Sequence, residues 1–318
     1  MRVFFHIDLD AFFASAEALD HPDYRGVPLI IGANPRHGKG RGVVSTCSYE
    51  ARTYGLRSGM PISKAWELCP NGVYLFPRFQ RYSELSNQFK SIVKRYSTLY
   101  RSGGIDEAYL EMTPSTPDFK SAYQQAITLQ TEILQNVGLS CSIGISFTPT
   151  LAKIASDYQK PNGLTIITPE NYQALLGVKD IACIPGIGKK TKRFYYERGY
   201  HTVGDLYATS LPKISQELGD HGLYAWRVAN GQGNFFNFED GFEKESQKSI
   251  SKERTFGQDI SDPAVIIEKL TQLNQALHKE MQEKGLAYRT CSLKIRFHGF
   301  VTYRSEEHTS ELQSRQVI

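Results

Sequence analysis

The chain has 318 residues, of which 40% are hydrophobic and 22% charged, and its formal net charge is +4 at pH 7. This length exceeds one ordinary domain, and no apolar run approaches the roughly 20 residues that a membrane helix needs, so a globular cytoplasmic protein of two or more domains is predicted. The five cysteines are scattered and form no C-x-x-C pair, which argues against a disulfide framework or a zinc site. The mild excess of positive charge permits an anionic partner without requiring one.

Acidic residues occur at the end of the first predicted strand. Residues 3–10 form an apolar run with strand propensity, and the two-residue period places His6, Asp8 and Asp10 on one face. An alanine- and phenylalanine-rich helix is predicted over 11–19. We interpret His6 as a buried histidine and Asp10 as an acid favoured by the N-terminal end of the helix dipole, which leaves Asp8 as the candidate metal ligand.

The following segment combines two short strands with a helix that could bind phosphate. Strands are predicted over 29–32 and 43–45, on either side of a polar, glycine-rich loop. In the helix predicted over 48–55, Tyr49 and Arg52 lie three residues apart and share a face. A guanidinium binds phosphate oxygens as a planar fork and a phenol adds a neutral donor, although such a pair is also typical of an ordinary surface helix.

Two adjacent carboxylates follow a glycine turn in an otherwise apolar strand. An amphipathic helix is predicted over 82–97, and it leads into a hairpin over 99–112 that carries Asp106 and Glu107. Ionised acids in a buried strand are unfavourable unless they are paired or bound to a metal. Because Mg²⁺ takes about six oxygen ligands, a further acid is needed, and Asp8 is the candidate.

The segment up to residue 167 is predicted to complete a sheet domain. Helices are expected over 117–136 and 148–160, the second beginning with a threonine cap and ending before a proline. Strands are expected over 139–146 and 164–167. Strands that alternate with packed helices describe an α+β domain, with an inserted segment between about residues 11 and 77.

A glycine hairpin between two helices indicates phosphate binding. Residues 184–191 resemble a helix-hairpin-helix, in which Gly186 and Gly188 allow backbone N–H groups to face outward at the start of the next helix. An ordinary glycine turn is the alternative, but a dense group of cations favours the first interpretation. These cations are Lys189, Lys190, Lys192 and Arg193. Contacts of this kind position a protein on a nucleic acid without reading its bases.

The C-terminal part is predicted to form a β-α-β unit. A linker is expected over 231–241, followed by a strand over 249–257, a helix over 262–284 and a strand over 290–297. Residues 303–318 are polar and have neither strand alternation nor an apolar helix face. This tail is therefore expected to add no strand or helix.

Four motifs, taken in their order and spacing, resemble those of the Y-family, or translesion, DNA polymerases, most closely the DNA polymerase IV type. They are IDLDAFFASAE at 7–17, YEAR at 49–52, IDEAYL at 105–110, and LAKIAS at 151–156 followed by KPNG at 160–163. Each motif alone is a weak signal. Together they carry a resemblance that extends from about residue 3 to residue 303.

The resemblance implies an α+β, multidomain right-hand polymerase. Its implied parts are a palm at 1–10 and 78–167, fingers at 11–77, a helical thumb with the helix-hairpin-helix at 168–232, and a little finger at 242–304. Relatives continue with further strands and a helix, and bacterial ones end in a short peptide for the sliding clamp. Residues 305–318 resemble neither feature, so a truncated little finger with an atypical tail and a weakened grip on DNA is expected.

The resemblance also implies a site for two-metal phosphoryl transfer to a primer 3′-hydroxyl. The implied catalytic and metal-binding groups are the side chains of Asp8, Asp106 and Glu107 and the carbonyl of Leu9, which would hold two Mg²⁺. The implied nucleotide contacts are Phe12, Phe13, Tyr49, Arg52 and Lys160, with Phe13 as the steric gate against ribonucleotides. Primer-template DNA and deoxynucleoside triphosphates are the implied partners of a monomeric enzyme without proofreading.

Two departures from the family pattern and two rival functions accompany this prediction. Gly104 stands where relatives commonly have serine, and Glu111 where aspartate is usual, but neither is an implied metal ligand.

The turn at 102–107 superficially resembles the motif of diguanylate cyclases, although an extra isoleucine interrupts it. The second rival is a DNA-binding protein whose catalysis is impaired by a truncated C-terminus, and the intact acidic residues argue against it.

Overall fold

The computed structural model describes residues 2–113, 115–116, 118–232, 248–297, 299 and 301–308. Its strands are, in chain order, β1 (Phe4–Leu9), β2 (Leu29–Gly32), β3 (Val44–Cys47), β4 (Val73–Leu75), β5 (Tyr100–Ser102), β6 (Glu107–Glu111), β7 (Cys141–Ser146), β8 (Leu164–Ile167), β9 (Thr290–Arg296) and β10 (Thr302–His308). Its helices are α1 (Phe12–Asp20), α2 (Tyr49–Thr53), α3 (Ile62–Leu68), α4 (Phe79–Val93), α5 (Phe119–Val137), α6 (Pro149–Ser156), α7 (Tyr172–Gly177), α8 (Lys189–Tyr196), α9 (Val203–Tyr207), α10 (Leu211–Ala229) and α11 (Pro263–Glu283). Within the described ranges, no helix has the length and apolar character needed to span a membrane.

A five-stranded sheet with the order β5-β6-β1-β7-β8 forms the centre of the first unit. Strand β1 pairs antiparallel with both β6 and β7, so it is the middle strand and both of its edges are hydrogen-bonded. Phe5 and Ile7 belong to the core that also contains Tyr82 of α4. His6 and Asp8 alternate with them and therefore lie on the opposite face, where His6 contacts α6. The predicted α+β sheet is confirmed.

A three-stranded sheet with the order β3-β2-β4 lies in the segment between α1 and α4. Strand β2 pairs antiparallel with β3 and parallel with β4. Ile30, Val44 and Ile62 are fully buried in a core of their own beneath this sheet. Helix α1 packs differently, because Phe12 belongs to the core of the five-stranded sheet. Part of β2 belongs to that core as well, so the inserted segment packs against the first unit through both α1 and this sheet.

Helices α7 to α10 form a third unit with short connections. Ile184, Ile187, Tyr195 and Leu206 are buried together in its core. The two isoleucines flank the glycine hairpin that precedes α8, and their burial anchors this hairpin to the rest of the unit.

Helix α6 is shorter than predicted. It ends at Ser156, whereas the sequence pattern placed its end at Lys160. The chain must turn back earlier because Gly163 approaches residue 159 so closely that a Cβ atom on Gly163 would lie 2.1 Å from the carbonyl oxygen of Gln159. Residues 157–159 therefore form a turn instead of a last helical turn.

The C-terminal unit differs from the prediction in two places. Residues 249–257 form no strand, and β9 pairs antiparallel with β10 over its whole length. The predicted irregular tail at 303–318 thus supplies most of β10, a strand whose polar sequence reflects exposure on both faces, as for Tyr303, which is 67% exposed. Most of the predicted linker at 231–241, and residues 309–318 of the tail, lie outside the described residues.

Candidate active site

Acidic residues from two neighbouring strands meet at one end of the five-stranded sheet. Asp8 of β1 lies opposite Glu107 of β6 in the antiparallel ladder. The backbone N–H of Leu9 donates to the carbonyl oxygen of Asp106 at 3.0 Å, which holds that residue beside the end of β1. Gly103 packs against this turn, since a Cβ atom on it would lie 2.7 Å from a carboxylate oxygen of Glu107. A side chain at position 103 would therefore displace the side chain of Glu107.

Lysine and histidine side chains contact two of these acids. Lys160 Nζ lies 2.9 Å from Asp8 Oδ1, and Lys153 Nζ donates to Glu107 Oε2. His6 Nε2 lies 3.1 Å from the same oxygen of Glu107. The acids of the sheet therefore face positive charge from the segment that follows β7.

The side chains that lie close enough to bind one metal ion differ from the ligand set that the family resemblance implies. Candidate ligand atoms of His6, Asp8 and Glu107 lie within 4.8 Å of one another. The carboxylate of Asp106 is not a member of this group, which is the one such cluster among the residues that the structure describes. Asp106 is instead placed next to it by the backbone bond to Leu9.

The acids differ in how strongly their surroundings favour the charged form. Burial raises the pKa of Asp8, although the ammonium group of Lys160 opposes the shift. Burial also raises the pKa of Asp106. At Glu107, burial is outweighed by hydrogen bonds from His6 and Lys153, which lower its pKa to about 2. Asp8 and Asp106 would therefore gain the most from an additional cation.

The two phenylalanines of α1 occupy different environments. Phe13 stacks on Tyr82 with ring centroids 4.2 Å apart and an angle of 13° between the planes. The Tyr82 hydroxyl donates to the buried carboxylate of Glu17 at 2.5 Å. This hydrogen bond fixes the ring against which Phe13 stacks. Phe12 is buried in the core, whereas Phe13 is only partly covered. Phe13 is thus the aromatic ring of this pair that is partly open to solvent.

Tyr49 of α2 comes close to the acids, and Arg52 lies beside its ring. Ser48 caps this helix by accepting a hydrogen bond from the N–H of Ala51. The guanidinium of Arg52 lies 4.7 Å from the centre of the Tyr49 ring. Burial and the nearby negative charge of Asp10 raise the pKa of Tyr49 to about 12, so its hydroxyl is a hydrogen-bond donor at neutral pH.

The role predicted for Asp10 is wrong. Its carboxylate does not serve the start of α1 but is buried against β7, where it accepts hydrogen bonds from the Ser142 hydroxyl and the Asn162 N–H. The Asp10 side chain follows the two-residue alternation of β1, so it points to the same face of the sheet as Asp8 and not toward the start of α1. Sequence reasoning also missed Lys153 and Tyr82. Lys153 lies inside the LAKIAS motif, and Tyr82 was assigned only to an amphipathic helix.

The glycine hairpin has the geometry expected at the start of a helix that faces an anion. Gly186 has a φ of +93°, which favours glycine, and Gly188 is the N-cap of α8 without a capping side chain. Lys189 and Lys190 are exposed at this helix start. Lys192 differs, because its ammonium group lies 2.6 Å from the carboxylate of Asp180.

Comparison with solved structures defines the class of the fold. A Y-family DNA polymerase chimera matches 96% of this chain and 87% of its own chain, with a TM-score of 0.84 and 27% sequence identity. An insertion ternary complex of Dbh DNA polymerase matches 97% of this chain and 88% of its own chain, with a TM-score of 0.68 and 26% identity. The fold is that of a multidomain right-hand polymerase, as predicted.

Sequence comparison then identifies the family. Models described as the impB/mucB/samB family and its C-terminal domain match residues 7–157 and 247–317. A DNA polymerase IV from Methanoculleus marisnigri is 40% identical over 304 residues, which span 95% of this chain and 82% of the relative. One from Listeria monocytogenes is 39% identical over 301 residues, which span 95% of this chain and 83% of the relative. The chain belongs to the Y-family of DNA polymerases and is a DNA-directed DNA polymerase.

Proposed function

We propose that this polymerase adds deoxynucleotides to a primer 3′-hydroxyl on a DNA template by two-metal phosphoryl transfer, in translesion synthesis without proofreading. The observation that carries the proposal is the position of Asp8 opposite Glu107, with Asp106 bonded to the residue that follows Asp8. Relatives named DNA polymerase IV and a solved insertion ternary complex of a DNA polymerase support the choice of substrates.

The acidic cluster fits Mg²⁺ by the chemistry of its donors. The proposed ligands of two ions are the carboxylates of Asp8, Asp106 and Glu107 and the carbonyl of Leu9, all hard oxygen donors of the kind that Mg²⁺ prefers. Burial raises the pKa of Asp8 and of Asp106, so both charged carboxylates would be stabilised by added positive charge. When bound, the ions would lower the pKa of the primer 3′-hydroxyl and would neutralise the triphosphate and the leaving pyrophosphate.

The remaining residues of the site are proposed to hold the incoming nucleotide. Arg52 and Tyr49 supply a guanidinium fork and a phenol donor for phosphate oxygens, and Lys160 adds a point charge beside Asp8. The Phe13 ring, supported by Tyr82, would collide with a ribose 2′-hydroxyl. Phe12 is proposed to shape the pocket from the core side.

We assign the packing units to the parts of a right-hand polymerase. The assignment is palm at 1–10 and 78–167, fingers at 11–77, thumb at 168–232 and little finger at 242–304. Three buried clusters, centred on the five-stranded sheet, the three-stranded sheet and helices α7 to α10, support it. A monomer in the cytoplasm is part of the same proposal.

Primer extension in the presence and absence of metal tests the proposed reaction. With primer-template DNA, deoxynucleotides and Mg²⁺, we expect stepwise extension that stops in excess EDTA and resumes when Mg²⁺ is restored. Incubation with GTP alone is expected to yield no cyclic dinucleotide. Binding in a gel shift without any extension would overturn the proposal in favour of a catalytically impaired DNA-binding protein.

Removing charge from the start of α8 is expected to weaken DNA binding uniformly across sequences. Lys189→Ala combined with Lys190→Ala should reduce the slope of log K against log salt by up to about one unit per lost phosphate contact. Fluorescence anisotropy with two unrelated duplexes at several salt concentrations measures this slope. Lys213→Ala is the control, since Lys213 is exposed on another helix of the same unit. Equal slopes for the double variant and the parent would mean that the hairpin has only a structural role.

A further inference from the structure

One buried acid next to the nucleotide-binding residues has no role in the reaction proposed above. Asp10 is 2% exposed and directly follows β1. Its Oδ1 accepts a hydrogen bond from Ser142 Oγ at 2.8 Å, and its Oδ2 accepts one from the N–H of Asn162 at 2.8 Å. Neutral donors therefore bind both oxygens of a carboxylate that has almost no access to water. Burying a carboxylate is unfavourable unless hydrogen bonds compensate it, and here these bonds also fix the backbone that donates them.

Ser142 supports the residue after Asn162 in the turn that follows Lys160. Ser142 Oγ accepts a hydrogen bond from the N–H of Gly163 at 3.2 Å while it donates to Asp10. Asp10 and Ser142 thus bind two consecutive backbone amides. The turn needs such support because Asn162 has a φ of +58°, in the left-handed region that non-glycine residues rarely adopt.

Lys160 begins this turn and reaches the acids of the palm. Its Nζ lies 2.9 Å from Asp8 Oδ1 and 2.8 Å from Asp157 Oδ1. The Tyr49 hydroxyl makes a longer contact of 3.4 Å to Asp10 Oδ1. The carboxylate of Asp10 therefore touches both segments that carry the proposed phosphate-binding side chains.

We propose that Asp10, together with Ser142, is a positioning residue that holds the turn after Lys160 and so places the ammonium group of Lys160 for the triphosphate. This inference rests on the proposed nucleotide-binding role of Lys160. A carboxylate suits the position because it offers acceptors on both sides. Asparagine would present a donor on one side, and one of the bound N–H or O–H groups would lose its acceptor.

Single-nucleotide insertion kinetics of Asp10→Asn and Ser142→Ala test the inference. For Asp10→Asn we expect the KM for the deoxynucleotide to rise about tenfold, the effect of losing one hydrogen bond to a charged group. For Ser142→Ala we expect a smaller rise in the same direction. The kcat per active site and the Kd for primer-template DNA should change little. A merely structural role would lower the fraction of active protein and leave the KM unchanged.

Two matched controls come from the same sheet. Glu111→Gln makes the same change at a buried acid of β6, whose carboxylate pairs with Arg2. Ser146→Ala makes the same change at a buried serine of β7, whose hydroxyl donates to the carbonyl of Ile167 at 2.7 Å. Both variants are expected to keep the parental KM. If the controls raised the KM as much as the test variants do, the inference would be overturned.

A double-mutant cycle with Lys160→Ala decides whether Asp10 acts through Lys160. If it does, Asp10→Asn should raise the KM far less in the Lys160→Ala background than in the parent. If the two substitutions instead raised the KM independently, so that their effects multiplied in the double variant, the inference would be contradicted. It would also be contradicted if Lys160→Ala raised the KM while Asp10→Asn left the KM at the parental value. A parental KM for Lys160→Ala would instead refute the nucleotide-binding role of Lys160 itself. If Asp10→Asn fails to fold, Ser142→Ala replaces it in the cycle with the same criteria.

Discussion

Asp106→Asn is expected to abolish nucleotide addition without loss of the fold. The rate of primer extension should fall at least about a thousandfold, because a lost metal-binding carboxylate removes several kcal/mol of transition-state stabilisation. Asp106 is the clearest of the three acids to test, since Asp8 and Glu107 also bind lysines. Burial raises the pKa of Asp106, so the charged carboxylate is unfavourable in the folded protein at neutral pH and its removal should not lower the Tm.

Three measurements separate this effect from a structural one. Single-turnover extension reports the rate, fluorescence anisotropy reports the Kd for primer-template DNA, and thermal unfolding reports the Tm. Glu111→Gln is the matched control, because Glu111 ends the strand that Glu107 begins. It should extend primers at the parental rate, although its lost ion pair with Arg2 can lower the Tm. If the Asp106→Asn variant extended primers at the parental rate, Asp106 would not be a metal ligand.

Phe13→Ala is expected to admit ribonucleotides. Removing the ring should raise ribonucleotide insertion relative to deoxynucleotide insertion by about 10- to 200-fold, the range over which the filling of a pocket discriminates between close analogues. Tyr82 stacks against the Phe13 ring and is itself hydrogen-bonded to Glu17. The Phe13 ring therefore cannot move away from a 2′-hydroxyl, which is why it can exclude one. The ratio of kcat/KM for matched ribonucleotide and deoxynucleotide pairs measures the effect.

A second pair of variants tests whether the Phe13 ring itself carries the discrimination. Phe13→Tyr keeps the aromatic ring and should keep the parental discrimination. Phe79→Ala removes an exposed ring that meets Phe13 edge-on, with centroids 6.0 Å apart, and should have little effect. Unchanged discrimination in Phe13→Ala would mean that another residue forms the gate.

Local sequence patterns predicted the parts of the site that depend on neighbouring residues. Strand alternation placed Asp8 on a face away from the core of the sheet, and the glycine turn placed Asp106 and Glu107 at the start of a strand. The role of Asp10 could not be found this way. An acid before a helix is typical of helix starts, but the two shortest hydrogen bonds to its carboxylate come from residues 132 and 152 positions further along the chain.

The same limit applies to the ion pairs and to the last strand. Lys153 lies 46 positions from Glu107, and no periodicity links the two. Strand β10 is polar because the sheet that it forms with β9 is exposed on both faces, so it lacks the alternation by which strands are recognised.

By itself, the sequence determined the α+β class and the family, and it predicted the glycine turn before α8, because periodicity, turn glycines and motif spacing are properties of short segments in order. Only the tertiary structure decided that His6 joins Asp8 and Glu107, that Asp10 holds the turn after Lys160, and that Tyr82 supports Phe13. These contacts arise from strand register and helix packing, which bring together side chains that are far apart in the chain.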